Sequence, residues 1–224
     1  MIDLYSWPTP NGQKVQILLE ELGCSYTAHP INILRGEQFA TAFLAISPNN
    51  KIPAIVDRTN EDEPVSVFET GAILLYLAER FGRFLPHAHA KRSEVLEWLF
   101  FQSASLGPLL GQATHFNRYA SEDVPYAKQR YTTEANRLYS VLEHRLEGRD
   151  WLAGEAYTIA DIGAFPWICR ARRQGVDINL YPRLQAWRMR ISQRPAVARG
   201  MDVLKEVARN TPLDAQAHDT LFKG

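Results

Sequence analysis

The chain has 224 residues, in which 25 Lys and Arg balance 25 Asp and Glu, and 46% of the residues are hydrophobic. This composition is ordinary for a globular protein of one large domain or two small ones, long enough to form a core without a disulfide or metal support. A net charge of zero argues against bulk electrostatic attraction to nucleic acid or to an anionic membrane, and no apolar run approaches the roughly 20 residues of a membrane span.

Cysteine and histidine usage limits the chemistry further. Cys24 and Cys169 are far apart, and the six histidines are scattered without metal-ligand spacing, so no metal site is expected. The first residues lack a basic, cleavable leader, so we expect no signal peptide and a cytoplasmic location. Two reduced, buried thiols are therefore favoured over a disulfide or a catalytic cysteine.

Strand and helix patterns alternate over residues 1–85. The predicted elements, in chain order, are a strand at 1–5, a helix at 12–22, a strand at 26–33, a short helix at 37–44, strands at 54–57 and 65–68 joined by a polar turn, and a helix at 70–80. This βαβαββα order implies a parallel strand pair with a right-handed crossover.

Helical patterns alone follow, at 91–107, 125–146, 159–173, 184–192 and from 195 to about 209. We therefore predict an α/β domain over 1–85, an all-α domain over 86–209 and a tail over 210–224. The first 85 residues hold 6 basic and 10 acidic side chains and the rest hold 19 and 15, so the neutral total combines net charges of −4 and +4. The tail either lacks structure or covers a site.

Two segments before residue 60 carry groups suited to ligand binding. Thr9 or Asn11 can cap the first helix, whose N-terminus would stabilise an anion such as a thiolate. A cis bond between Ile52 and Pro53 would expose the Ile52 backbone to an added peptide strand, and Lys51 could pair with a carboxylate. The alternatives are simple helix capping at the first segment and a rigid turn with a solvated lysine at the second.

Two further polar segments precede predicted helices. Glu69 stands beside apolar runs, where a buried carboxylate needs a cationic partner such as a ligand ammonium, and Thr70 with the helix N-terminus would take a ligand carboxylate. Capping of the helix by this pair is the alternative. Thr158 and Asp161 form a capping box before an apolar run, which indicates a structural role.

Taken together and in this order, these segments resemble the glutathione S-transferase superfamily, in which a thioredoxin-like domain precedes an all-α domain. N-K-I-P at 50–53 is similar to the family's cis-proline loop, and F-E-T-G at 68–71 to its signature for the γ-glutamyl end of glutathione. T-I-A-D at 158–161 is similar to the capping box of its helical domain. The strings PTPNGQKV, SPNNKIPAIVD and FETGAILLYLAERFG carry a finer resemblance to the bacterial nu-class, which are glutathione-dependent disulfide-bond reductases. Thr70 stands where the family usually has Ser.

The resemblance implies a role for each matching residue. Thr9 and Asn11 would donate to the glutathione sulfur. Gln38 would contact the glycyl end, the Ile52 backbone beside Pro53 the cysteinyl unit, and Glu69 and Thr70 the γ-glutamyl end. Arg130 would reach the ligand from the helical domain, either within its own subunit or across a dimer. Lys51 is a weaker candidate.

The implied activity is disulfide-bond reduction, with glutathione, reduced or as its disulfide, as co-substrate, and with a small disulfide or electrophile as partner in a homodimeric enzyme. Neither cysteine falls near Thr9 in the sequence, so the ligand rather than the protein would supply the attacking sulfur; Ser6 is a rival to Thr9. Two alternatives remain: conjugation of glutathione to electrophiles, and a binding or regulatory module with little catalysis. Trp98, Phe100 and Phe101 could belong either to the core or to a dimer interface.

Overall fold

A mixed four-stranded sheet lies at the centre of the N-terminal part of the chain. The computed structural model describes residues 1–222. The strands are β1 (Ile2–Ser6), β2 (Tyr26–Pro30), β3 (Ala54–Asp57) and β4 (Val65–Phe68). Their order is β2-β1-β3-β4, with β1 parallel to β2 and β3 antiparallel to both of its neighbours. The central strands β1 and β3 are buried on both faces, and their buried positions include the polar residues Asp3, Ser6 and Asp57.

Within residues 1–81 the α-helices are α1 (Pro10–Leu22), α2 (Thr41–Leu44) and α3 (Thr70–Phe81). A short 3-10 turn at Glu37–Phe39 precedes α2, so the helix expected at 37–44 divides into two pieces. The start of α1 requires a glycine, because a Cβ on Gly12 would lie 2.1 Å from the carbonyl oxygen of Trp7. Gly23, with φ of 67°, ends α1 in the left-handed conformation.

The second compact unit, residues 82–194, is entirely helical. Its α-helices are α4 (His89–Phe101), α5 (Gly107–Arg118), α6 (Pro125–Arg145), α7 (Ile159–Ile168) and α8 (Pro182–Ser192). The sequence patterns did not predict α5, because Gly107-Pro108 resembles a helix end. A π-helical turn at Gln102–Leu106 joins α4 to α5, and Pro108 sits in the first turn of α5, where its missing N–H costs little.

The capping box at the start of α7 is confirmed. The Thr158 backbone N–H donates to Asp161 Oδ2 at 3.0 Å, and the Ala160 N–H donates to the Thr158 hydroxyl at 3.3 Å. The helix is shorter than the predicted 159–173. It ends at Ile168 and is followed by a 3-10 turn at 171–174 that closes on Gly175 with φ of 76°.

The C-terminal residues 195–222 group with the sheet rather than with the helical unit. The sequence instead predicts an all-α domain over 86–209 and a separate tail over 210–224. Residues 195–222 form α9 (Pro195–Asp202), α10 (Lys205–Arg209) and α11 (Ala215–Phe222). The close approach of α9 to α1 explains the grouping, since a Cβ on Gly200 would lie 2.6 Å from Ile17 Cα. The expected tail therefore contains a helix, and its last two residues, 223 and 224, lie outside the described residues.

The predicted fold class is confirmed, with a thioredoxin-like βαβαββα arrangement followed by helices. Within residues 1–222, no helix is both long and apolar enough to cross a bilayer.

Candidate active site

Of the two predicted N-cap candidates, Thr9 and Asn11, Thr9 is the N-cap of α1. Its backbone is extended, with φ of −94° and ψ of 168°, and its hydroxyl oxygen accepts the Gly12 N–H at 3.3 Å. Because that bond uses an oxygen lone pair, the hydroxyl hydrogen remains able to donate to another group. Capping and sulfur binding, treated as alternatives from the sequence, are therefore compatible. Asn11 lies on the same first turn and is half-buried.

The rival nucleophiles are poorly suited to this position. Ser6 is fully buried, and its oxygen accepts a hydrogen bond from Gln16 Nε2 at 3.2 Å. Cys24 follows the far end of α1, roughly 20 Å from Thr9 at ~1.5 Å per residue. Both cysteines are free and half-buried rather than fully buried. Burial raises the pKa of the Cys24 thiol, and it raises the pKa of Cys169 to about 11, so neither environment favours a thiolate.

The loop before β3 presents an open backbone edge. The Ile52–Pro53 bond is cis, as predicted. Among the described residues, nothing hydrogen-bonds to the backbone N–H or C=O of Ile52, since strand pairing begins only at Ala54. The Ser47 hydroxyl donates to the Lys51 carbonyl oxygen at 2.8 Å and so holds the loop in place. An extended peptide could add to this edge through main-chain hydrogen bonds.

Glu69 has an unusual backbone and a more open position than the sequence suggested. Its φ of 68° lies in the left-handed region, which costs a residue with a side chain about 1–2 kcal/mol. The side chain is exposed, so the expectation of a buried carboxylate is wrong: the turn into α3 directs it outward. Asn49 Nδ2 donates to Glu69 Oε1 at 3.4 Å. The carboxylate is thus held at the surface, where it can meet a ligand cation.

Lys14 is a buried residue beside the site that was not predicted from the sequence. Its side chain is 2% exposed, and its ammonium donates to Thr70 Oγ1 at 3.2 Å. Burial lowers the pKa of Lys14 to about 7, although the negative charge of Glu69 acts in the opposite direction. The available signal was its helical spacing of three and four residues from Ile17 and Leu18, which places a lysine on the apolar face of α1.

These segments meet at a cleft of about 130 Å³. Its lining residues are Asn11, Ser47, Asn49, Lys51, Ile52, Pro53, Phe68, Glu69 and Thr70. Six of the predicted site residues are among them, whereas Ser47, Asn49 and Phe68 were not predicted.

Three predicted residues do not line the cleft. Thr9 lies two positions before Asn11. Gln38 is buried, with Nε2 donating to the Ile33 carbonyl at 3.4 Å and with Oε1 unpartnered among the described residues. Arg130 lies on α6 in the helical unit, 3.7 Å from Glu134.

The cleft combines a carboxylate, a hydroxyl backed by an ammonium, and a free backbone edge. These groups suit the end of a small peptide that carries both an ammonium and a carboxylate. At about 130 Å³ the cleft encloses only part of such a ligand, because pockets for whole drug-sized molecules hold about 300–1,000 Å³. No group of three or more His, Cys, Asp or Glu in the described part of the chain is arranged to hold a metal ion.

Comparison with known families and curated proteins gives consistent matches. Residues 1–79 match the model of the glutathione S-transferase N-terminal domain, and residues 94–195 match that of the C-terminal domain. The disulfide-bond oxidoreductase YfcG of Escherichia coli is 51% identical, over 90% of this chain and 94% of its own length. The disulfide-bond oxidoreductase YghU of the same organism is 43% identical, over 97% of this chain and 79% of its own length.

Solved structures of glutathione transferases also match the chain. A glutathione transferase from Pseudomonas putida, with one glutathione disulfide bound per subunit, superposes with a TM-score of 0.86 at 40% identity, over 90% of this chain and 91% of its own. A family member from Pseudomonas fluorescens, with two glutathione molecules bound, has a TM-score of 0.85 at 44% identity, over 89% of this chain and 92% of its own.

Proposed function

Since the chain belongs to the glutathione S-transferase family, we propose that it is a glutathione-dependent disulfide-bond oxidoreductase whose attacking sulfur is the thiolate of bound glutathione. The observation that carries the proposal is the cleft at the start of α1, where peptide-binding groups converge and no cysteine lies among the lining residues. Its relatives named as disulfide-bond oxidoreductases support the reaction, and the neighbours holding glutathione or its disulfide support the ligand.

The geometry fits the parts of glutathione one by one. The γ-glutamyl ammonium meets Glu69, and its carboxylate meets the Thr70 hydroxyl and the N-terminus of α3. The cysteinyl backbone pairs with the free N–H and C=O of Ile52. That pairing directs the thiol toward the first turn of α1, where the Thr9 hydroxyl and the Asn11 amide act as donors.

Ionisation of the thiol sets the energetic requirement. A free thiol has a pKa of about 8.5, so under ~10% is thiolate near neutral pH, and lowering that pKa by ~2 units requires ~2.7 kcal/mol. A helix N-terminus supplies about 0.3–2 kcal/mol, and a hydrogen bond to the charged sulfur supplies ~1.5–3 kcal/mol. The two effects together meet the requirement without a protein nucleophile.

The reaction then proceeds by two thiol–disulfide exchanges. The first glutathione thiolate attacks one sulfur of the substrate disulfide, forms a mixed disulfide and releases one substrate thiolate. A second glutathione thiolate attacks the glutathione sulfur of that mixed disulfide, which yields glutathione disulfide and releases the second substrate thiolate. Two glutathiones are oxidised for each disulfide reduced.

Substitutions at the first turn of α1 test the proposal against a cysteine mechanism. Thr9→Ala and Asn11→Ala each remove a donor to the thiolate, so each should lower kcat for reduction of hydroxyethyl disulfide by about 10- to 100-fold, as expected for ~1.5–3 kcal/mol. Thr9→Ser keeps the hydroxyl and the cap and should retain most of the activity. The double variant Cys24→Ser/Cys169→Ser should be as active as the unmodified chain, and a loss of reductase activity in it would contradict the proposal.

Assays of the unmodified chain with two substrates distinguish disulfide reduction from glutathione conjugation. A higher kcat/KM with an aryl halide than with hydroxyethyl disulfide would favour glutathione conjugation as the main activity. Glutathione binding without turnover of either substrate would favour the regulatory module. Contacts of Gln38 and Arg130 with glutathione, nu-class membership, a homodimeric state and a cytoplasmic location all stay predictions.

A further inference from the structure

Lys14 is a buried cation that the proposed reaction does not use. Its side chain is 2% exposed, on the helix face that also carries Ile17 and Leu18, and lysine is rarely buried without a carboxylate bonded to it. Its hydrogen bond within the described residues is the one to Thr70 Oγ1, at 3.2 Å. Thr70 in turn lines the cleft. The ammonium therefore lies directly behind a ligand-facing hydroxyl.

We propose that Lys14 is a positioning residue for the ligand carboxylate, because its ammonium fixes the direction in which the Thr70 hydroxyl donates and places positive charge behind the bound anion. The proposal rests on glutathione being the ligand of this cleft. Lys14 does not line the cleft and acts through Thr70.

The donor inventory gives the mechanism. An ammonium has three N–H donors and no acceptor, so Thr70 Oγ1 must accept from Lys14, and the Thr70 hydroxyl hydrogen is left to point into the cleft. A neutral amine has a lone pair, so it can accept that hydrogen and turn the donor away from the ligand. The charged form of Lys14 is therefore the form that favours anion binding.

The surroundings of Lys14 place the change between its charged and neutral forms near neutral pH. The charged residues on the other helices packed against α1 are Arg199 and Asp202 on α9 and Glu79 and Arg80 on α3. Of the described charged groups, Glu69 is the one that raises the pKa of Lys14, while burial lowers it to about 7. A bound carboxylate beyond Thr70 adds a further negative charge, so ligand binding should draw a proton onto Lys14.

Calorimetric titration with S-methylglutathione isolates this effect, because the methylated sulfur cannot ionise. At pH 6.5 the Lys14→Met variant should bind about 10-fold more weakly than the unmodified chain, as expected for losing one charge-assisted contact. By pH 8.5, where Lys14 is mostly neutral, the difference should fall below about 3-fold. Titrations at pH 7.5 in phosphate and in Tris should show uptake of about half a proton by the unmodified chain and none by Lys14→Met.

Thr70 variants separate positioning from a general effect on the fold. Thr70→Ser keeps the oxygen and should retain both the affinity and the proton uptake. In a Thr70→Val background, Lys14→Met should change the affinity much less than it does alone, because the hydroxyl that Lys14 orients is already absent. Equal affinities of Lys14→Met and the unmodified chain at pH 6.5, or additive effects of the two substitutions, would overturn the positioning role while leaving glutathione binding intact. Failure of the unmodified chain to bind S-methylglutathione would overturn both proposals.

Discussion

The ammonium of Lys14 is costly to bury, and its replacement tests that cost directly. In the folded chain the pKa of Lys14 is lowered from 10.5 to about 7, so between these values the unfolded chain binds a proton that the folded chain releases. Raising the pH through this window therefore favours the folded state at this residue. Methionine has a similar length and no charge, so Lys14→Met should be more stable than the unmodified chain at pH 7.

Urea unfolding at pH 7 and pH 9 measures this effect as a difference between the two chains. The stability advantage of Lys14→Met should be largest at the lower pH and should shrink as the pH rises, since other titrating groups cancel in the comparison. An advantage that does not vary with pH would mean that burial does not lower the pKa of Lys14 in the folded chain. Higher stability together with weaker ligand binding would mark Lys14 as a residue kept for function.

At single residues, local chemistry decided what could be predicted. The N-cap at Thr9 and the cis bond before Pro53 depend on near neighbours in the sequence, so both were predictable. The left-handed backbone of Glu69 and the contact between Lys14 and Thr70 were not, because that contact joins residues 56 positions apart. A lysine on the apolar face of a helix was visible, but its partner depended on how α1 packs against α3.

Among the elements, α7 depends on a buried carboxylate at its N-terminus. Asp161 is fully buried, and burial raises its pKa to about 6 despite the hydrogen bonds that it accepts. Besides the Thr158 hydroxyl at 3.3 Å, its donors are the Leu152 N–H at 2.9 Å, the Thr158 N–H at 3.0 Å and the Trp187 Nε1–H at 2.8 Å. The loop before α7, the N-terminus of α7 and α8 are thus tied together at one side chain.

Asp161→Ala leaves those three donors buried without an acceptor. Each unsatisfied donor costs about 1–3 kcal/mol, so the free energy of unfolding should fall by at least about 3 kcal/mol. Chemical denaturation measures the change, and Asp123→Ala, at an exposed position before α6, is the matched control with an expected change within about 0.5 kcal/mol. A loss below about 1 kcal/mol in Asp161→Ala would show that the capping box does not support the helical unit.

The two helices that were not predicted, α5 and α11, were missed for different physical reasons. A π-helical turn carries the chain from α4 into α5 past Gly107-Pro108, and such a turn has no simple sequence period. The helix α11 is short, and its place depends on contacts remote in sequence: Arg35 pairs with Asp214 at 2.8 Å, and Asn32 Nδ2 donates to Thr211 Oγ1 at 3.4 Å. Periodicity within the last fifteen residues contains no information about such partners.

For the whole molecule, the exposed aromatic on α4 bears on the predicted homodimer. Trp98 and Phe101 are half-buried and pack edge-to-face with ring centroids 5.4 Å apart, with the guanidinium of Arg145 over Trp98. Phe100 is 64% exposed. Of the three aromatic residues that could serve core or interface, Phe100 is the most exposed and is therefore our candidate for contact with a second copy.

We expect light scattering after gel filtration to give twice the 25.5 kDa mass of one chain. In a symmetric dimer each contact occurs twice, so replacing two buried Phe100 side chains, each contributing ~1.5–3 kcal/mol, removes ~3–6 kcal/mol and should weaken association by roughly 150- to 25,000-fold. Phe100→Asp should therefore elute as a monomer at micromolar concentration. Leu180→Asp, which also adds a carboxylate at an exposed apolar position of the helical unit, should leave the mass unchanged. A monomeric unmodified chain would contradict the homodimer, and a Phe100→Asp variant that stays dimeric would exclude Phe100 from the interface.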